Sequence, residues 1–140
     1  MFDFVKAHFG TEVEKLTYEK VVEFFSTPKT ENTNLEFKSN RGDKKITEKI
    51  YQTICAMLNS AGGLIIWGAP KEKSNDGVKE CFGDLTPFTV QLKSEDIIRS
   101  ISDKILPIPN GIEVYEIDDK NQHYIYLFQM CYVYRCKCLH

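Results

Sequence analysis

Leu35 and Phe37 alternate with Asn34, Glu36 and Lys38 between Thr33 and Ser39. That period of two predicts a half-buried strand with its charged side chains on one face. From Lys44 to Ala61 the apolar residues fall at Ile46, Ile50, Ile54, Met57, Leu58 and Ala61, a stripe at helical spacing. Gly62 supplies the left-handed residue that commonly ends such a helix. Leu64-Ile65-Ile66-Trp67 is apolar on both faces, as a covered central strand requires. Ser94 is expected to cap a second amphipathic helix through Ile97, Ile98, Ile101, Ile105 and Leu106, which Pro107 and Pro109 end. Glu95 and Asp96 suit the positive end of its dipole. Ile112 to Ile117 and Tyr124 to Met130 flank the polar turn Asp118-Asp119-Lys120-Asn121, which predicts a hairpin.

Upstream, Thr17 is placed to cap a helix bearing Val21, Val22, Phe24 and Phe25, ended by Pro28. Phe2, Phe4, Val5 and Phe9 suggest a short apolar anchor before it. Asn40 to Asp43 reads as a turn, and Lys71 to Asp84 as a polar, turn-rich connection. Helices alternating with strands and closing in a hairpin predict an α/β (α+β) fold: a single mixed β-sheet with flanking helices. Residues 1–29 read as an N-terminal helical extension and residues 30–140 as the domain proper. The abrupt end at Cys136-Lys-Cys138-Leu-His140 suggests a domain cut short at its C-terminus.

Composition narrows the class. The chain has 140 residues, the size of one domain, and its 42% hydrophobic content supports a packed core without staples. Its longest apolar run, Gly62 to Pro70, is too short to cross a bilayer, so no membrane association is expected. The opening MFDFVKAHFG lacks the layout of a secretory signal, and the expected address is cytoplasmic. Five cysteines, an odd number in such a chain, are expected as reduced thiols. Cys131, Cys136, Cys138 and His140 lie close together, but the paired knuckles of a zinc site are missing. His8 and His123 have no partner that the sequence identifies. No G-x-S-x-G elbow and no H-E-x-x-H helix is present.

A net charge of −2 argues against a strongly basic nucleic-acid binder, but the charge is unevenly distributed. Residues 1–37 carry a net −3, whereas Lys38, Arg41, Lys44, Lys45 and Lys49 against Asp43 and Glu48 give residues 38–49 a net +3. That segment is a candidate anion-facing patch, or the solvated outer face of a loop and helix. Gly62, Gly63 and Gly68 do not make a phosphate cradle, because here the helix precedes the glycines and a strand follows. Glu31 and Glu36 stand just ahead of the basic segment, and paired carboxylates can hold a divalent ion. A spacing of five in one continuous strand would point them to opposite faces, so Glu31 must lie in a turn before the strand if both are to meet one ion. The simpler alternative pairs Glu36 with Lys38 on the sheet face.

Thr33-Asn-Leu-Glu36-Phe-Lys38, a helix ending Ala56-Met-Leu-Asn59-Ser-Ala-Gly62-Gly63, and the strand Leu-Ile-Ile-Trp-Gly68 together resemble the Schlafen/Alba-like (Schlafen AlbA_2) domain. That domain has been labelled DNA-binding and often opens bacterial proteins called divergent AAA ATPases. The resemblance is strong over about residues 30–70 and looser over 94–106 and 112–130. It implies a mixed α/β fold, nucleic acid (DNA or structured RNA) as the partner, pairing into homodimers, and in some settings transcriptional regulation. Some members resemble metal-dependent ribonucleases whose acidic site uses the Glu of E-F-K, a Glu five residues earlier, and a third acid after the glycine-bounded strand. Glu36 and Glu31 match the first two positions, whereas Pro70 stands where the third is expected, with Glu72 or Asp76 as substitutes.

Two functions follow. In the first, Lys38, Arg41, Lys44, Lys45 and Lys49 contact phosphates in a non-catalytic nucleic-acid-binding module. In the second, Glu31 and Glu36 hold Mg²⁺ or Mn²⁺ in an endoribonuclease or nuclease, and Lys38 stabilises developing negative charge. Only the second requires a cofactor.

Overall fold

The computed structural model describes residues 2–41, 46–106, 111–131 and 135–139. Part of the expected 40–43 turn, Lys44, Lys45, Pro107, Pro109 and His140 therefore lie outside the described residues. Asp3 opens the first helix, α1 (Phe4–Phe9), by accepting the Lys6 N–H at 3.0 Å, and Gly10 closes it in the left-handed region. A short 3₁₀ turn follows at Val13–Lys15. Thr17 caps α2 (Tyr18–Phe24) through the Lys20 N–H at 3.3 Å, as its position in the sequence predicts. The helix stops at Phe24 rather than running on to Pro28; Phe25 caps it at φ −88° and ψ 9°, with its ring completely buried.

Strand β1 (Leu35–Lys38) leads into α3 (Ile46–Leu58) and then β2 (Gly63–Trp67), a parallel pair with the helix as crossover. The hairpin β3 (Glu72–Asn75) and β4 (Val78–Cys81) comes next, then α4 (Ser94–Lys104) and the two-residue strand β5 (Ile105–Leu106). Strands β6 (Ile112–Asp118) and β7 (Tyr124–Met130) form the long hairpin, and β8 (Lys137–Cys138) pairs with β5. The main sheet has the order β1-β2-β7-β6, mixed, with β1 and β6 at its edges. This is the α+β architecture that the alternation of elements implies.

The period of two along each strand decides which layer each side chain joins. Leu35, Phe37, Leu64 and Ile66 point to one face, where they pack with Val5, Leu16, Val21 and Phe25 from the N-terminal helices. Ile65, Trp67, Tyr126 and Phe128 point to the other, against Ile50, Ile54 and Leu58 of α3 and Ile101 of α4. Helices thus cover both faces, and β2 is buried along its whole length. Gly62 ends the α3 turn at φ 83°, and a Cβ there would overlap the Met130 carbonyl.

Three expectations need correction. Ser94 is the first residue of α4, not its cap: Lys93 holds the cap position and offers no side-chain bond. The helix ends at Lys104, and Ile105-Leu106 extend into β5. The stretch 71–84 is not merely a connection but contains the β3–β4 hairpin. That hairpin escaped the apolar alternation test because β3 is exposed along its length, and only Cys81 of β4 is buried. Among the described residues, no helix is long and apolar enough to cross a membrane.

Candidate functional site

The site grows out of the turn before β1. Asn32 and Leu35 bond to each other through their backbones (3.0 and 3.3 Å), and the Asn32 side chain accepts the Asn34 N–H at 2.9 Å. This tight turn sends the chain back on itself, so that Glu31 lies outside the strand and alongside it. Its Oε2 accepts the Phe37 N–H at 2.7 Å. Strand β1 is an edge strand, and this bond supplies a partner for an N–H that no neighbouring strand serves.

Glu31 lines a hollow of about 190 Å³ together with Lys29, Lys38, Arg41, Lys49, Glu72, Lys79 and Glu80. Several elements contribute. Lys29 precedes β1 and is tied to β4 by reciprocal backbone bonds with Cys81 at 2.9 and 2.8 Å. Lys38 ends β1, Arg41 follows it, Lys49 lies on α3, and Glu72 and Lys79 come from the hairpin. Among the described residues, five cationic and three acidic side chains line the hollow, a cationic excess. Burial raises the Glu31 carboxyl above its ordinary value of 4.5; the Phe37 N–H opposes the rise, Glu36 and Glu72 add to it, and Lys38 draws it down. Cys81 donates its thiol to the Pro70 carbonyl at 3.0 Å. Burial, with Glu31 and Glu72 nearby, pushes that thiol up to about 12, so it stays protonated.

Glu36 stands apart. Alternation points it, with Lys38, toward α3, where it lines a second groove bounded by Thr33, Gln52, Thr53 and Met57. The Lys38 Nζ donates to the Glu36 Oε1 at 2.7 Å, with both side chains largely covered. Lys38 and Lys49 line both hollows and form the wall between them.

A shared divalent ion is poorly served by this arrangement. One Glu31 oxygen is engaged by Phe37, one Glu36 oxygen by Lys38, and the buried Pro70 stands where the third acid was expected. Glu72 faces the Glu31 hollow and Glu36 the neighbouring one. Asp76 occupies the exposed tip of the β3–β4 turn at φ 51°, away from both. Among the described residues, no three His, Cys, Asp or Glu side chains are grouped so as to hold a metal ion. The engaged oxygens and the separate hollows thus weigh against one ion shared by Glu31 and Glu36.

Of the predicted phosphate-contacting residues, the structure brings Lys38, Arg41 and Lys49 together; Lys44 and Lys45 lie outside the described residues. Lys29, Lys79 and Glu80 were missed. The Asp76-Gly77 dipeptide, a strong signal for a two-residue hairpin turn, could have placed Lys79 opposite Ser74 and Glu80 opposite Lys73. His123, without a partner in the sequence reading, meets Asp119 at 2.6 Å in the β6–β7 turn.

An open mixed sheet clad by helices, with a charged pocket at its first strand, defines a small α+β domain. The family model described as Schlafen, AlbA_2 matches residues 31–136, and the chain belongs to that family. No curated protein matches it.

Proposed function

We propose that this chain is a nucleic-acid-binding module that grips phosphate groups in the cationic hollow beside β1 and does not itself cut the strand. The observation that carries this reading is the convergence of Lys29, Lys38, Arg41, Lys49 and Lys79 on one hollow. These residues are spread over some fifty positions of sequence, yet they meet where an edge strand, a helix and a hairpin come together. Phosphates offer repeated negative charge and no base identity, so such a site confers affinity rather than sequence reading. The overall charge of −2 keeps that affinity local to the patch.

Glu31, Glu72 and Glu80 trim the positive field. Protonation of Glu31, which its raised pKa makes easier, adds to the cationic excess. Nuclease chemistry through Glu31 and Glu36 has less support, since these carboxylates open onto different hollows.

The test is a titration of labelled duplex DNA and structured RNA at 50 and 200 mM salt. Three or four phosphate contacts lead to binding that weakens roughly 10- to 100-fold across that range. Absence of binding at the lower salt overturns the reading. The same samples incubated with Mn²⁺ should remain uncut; cleavage by the wild type that Glu36→Ala abolishes would establish the nuclease instead.

A further inference from the structure

Helix α3 presents Lys49 to the cationic hollow, and on another face it carries a thiol that the proposed function does not use. Cys55 is buried in the last turn of the helix, and its Sγ lies 3.1 Å from the Sγ of Cys136, 81 positions later in the chain. The approach is held from both sides. Asn59, one turn after Cys55, accepts the Cys136 N–H at 2.8 Å and donates to the Cys136 carbonyl at 2.9 Å. Immediately beyond, Lys137 and Cys138 pair with Leu106 and Ile105. The backbone carrying Cys136 is therefore fixed on two counts, by a side-chain clamp and by a strand ladder.

Metal binding is not the use this geometry suggests, because no third donor joins the two sulfurs among the described residues. Two thiols in contact serve a different chemistry. A disulfide requires its sulfurs about 2 Å apart, so closure needs a movement of roughly 1 Å. We propose that Cys55 and Cys136 are a disulfide-forming modification site, closed by a peroxide, which fastens the C-terminal segment to α3.

The half-buried Cys136 is the sulfur a peroxide reaches first. Its thiolate attacks one peroxide oxygen, the O–O bond breaks, and Cys136 becomes a sulfenic acid; the other oxygen leaves as hydroxide, which takes up the proton that the Cys136 thiol released and becomes water. The Cys55 sulfur then attacks the Cys136 sulfur, an S–S bond forms, and the departing hydroxide takes the Cys55 proton as a second water. Two thiols lose two hydrogens and two electrons; one hydrogen peroxide gains both. Burial and the adjoining Cys55 push the Cys136 thiol up to about 12, so thiolate is scarce near neutrality and closure is slow.

The experiment treats the reduced full chain with hydrogen peroxide and maps the cysteines by mass spectrometry of a non-reduced digest. Two of the five thiols should be lost, in a peptide pair joining Cys55 to Cys136 that dithiothreitol separates. The melting temperature of the oxidised wild type should rise by about 10 °C, as expected for a crosslink closing a long loop, and that rise should be absent in Cys136→Ser. A link through Cys131 or Cys138 instead, or Cys136 driven to sulfinic acid with Cys55 still free, overturns the proposal. Because mapping is done on the wild type, the outcome does not depend on a variant folding.

Discussion

The centre of the sheet and its β1 edge are built on opposite principles. Strand β2 lies between two strands and beneath helices on both faces, and Ile65 and Ile66 are completely buried. Among the described residues, strand β1 has a neighbouring strand on one side only, and its charged side chains face hollows. At the centre, each buried aliphatic side chain contributes about 1.5–3 kcal/mol through removal from water. At the edge, charges partly open to solvent contribute little to stability, about 0–1 kcal/mol per pair. Stability and the proposed phosphate contacts therefore fall to different residues, although Lys38 and its register partner Trp67 sit side by side.

The sharpest way to break this division is at the centre. Ile65→Ala should cost about 2–5 kcal/mol, because a fully buried methyl-rich side chain leaves a cavity that neighbours fill only in part. Denaturant unfolding would measure the loss, while the salt dependence of nucleic-acid binding by the folded fraction stays unchanged.

An intermediate effect is expected at the edge. Glu36→Gln removes the charge that holds Lys38 at 2.7 Å and so leaves the lysine for phosphate. Affinity for duplex or structured RNA should rise about threefold, with stability lowered by no more than about 1 kcal/mol. A carboxylate needed for a metal would show the reverse, a loss of function on the same substitution.

The smallest effect concerns pH. A carboxyl whose folded pKa is raised binds its proton more readily in the folded state than in the unfolded one. Glu31 therefore costs stability at neutral pH, and that cost fades as the pH falls through its raised value toward the ordinary 4.5. Glu31→Gln keeps an acceptor for the Phe37 N–H but removes the titration. Melting curves between pH 7 and pH 4.5 should show wild type and variant drawing together as the pH falls, with the variant higher at pH 7.

The same division governs what could be read in the sequence. The centre was legible because burial imposes period: Leu64 to Trp67 had to be covered on both sides, and the stripe from Ile50 to Leu58 had to face it. The shared face of Glu36 and Lys38 followed from the same alternation. The hairpin carrying Glu72 and Lys79 has almost no apolar face, so periodicity had nothing to register there. Lys29 reaches the hollow through a bridge to Cys81, a contact between distant positions that no local pattern encodes. Strands β5 and β8 are two residues each and exist only because they pair with one another. The contact between Cys55 and Cys136 is long-range in the same way.

The central claim is that the hollow beside β1 binds phosphate, and the slope of log Kd against log salt tests it most directly. The comparison is between wild type and the variant Arg41→Ala, Lys49→Ala, Lys79→Ala, which removes cations from the loop, the helix and the hairpin. The wild type should give a slope of about 3, and the folded variant a slope near 1 with affinity reduced at least about 10-fold at 50 mM salt. A folded variant that binds with the wild-type slope and affinity would contradict the account.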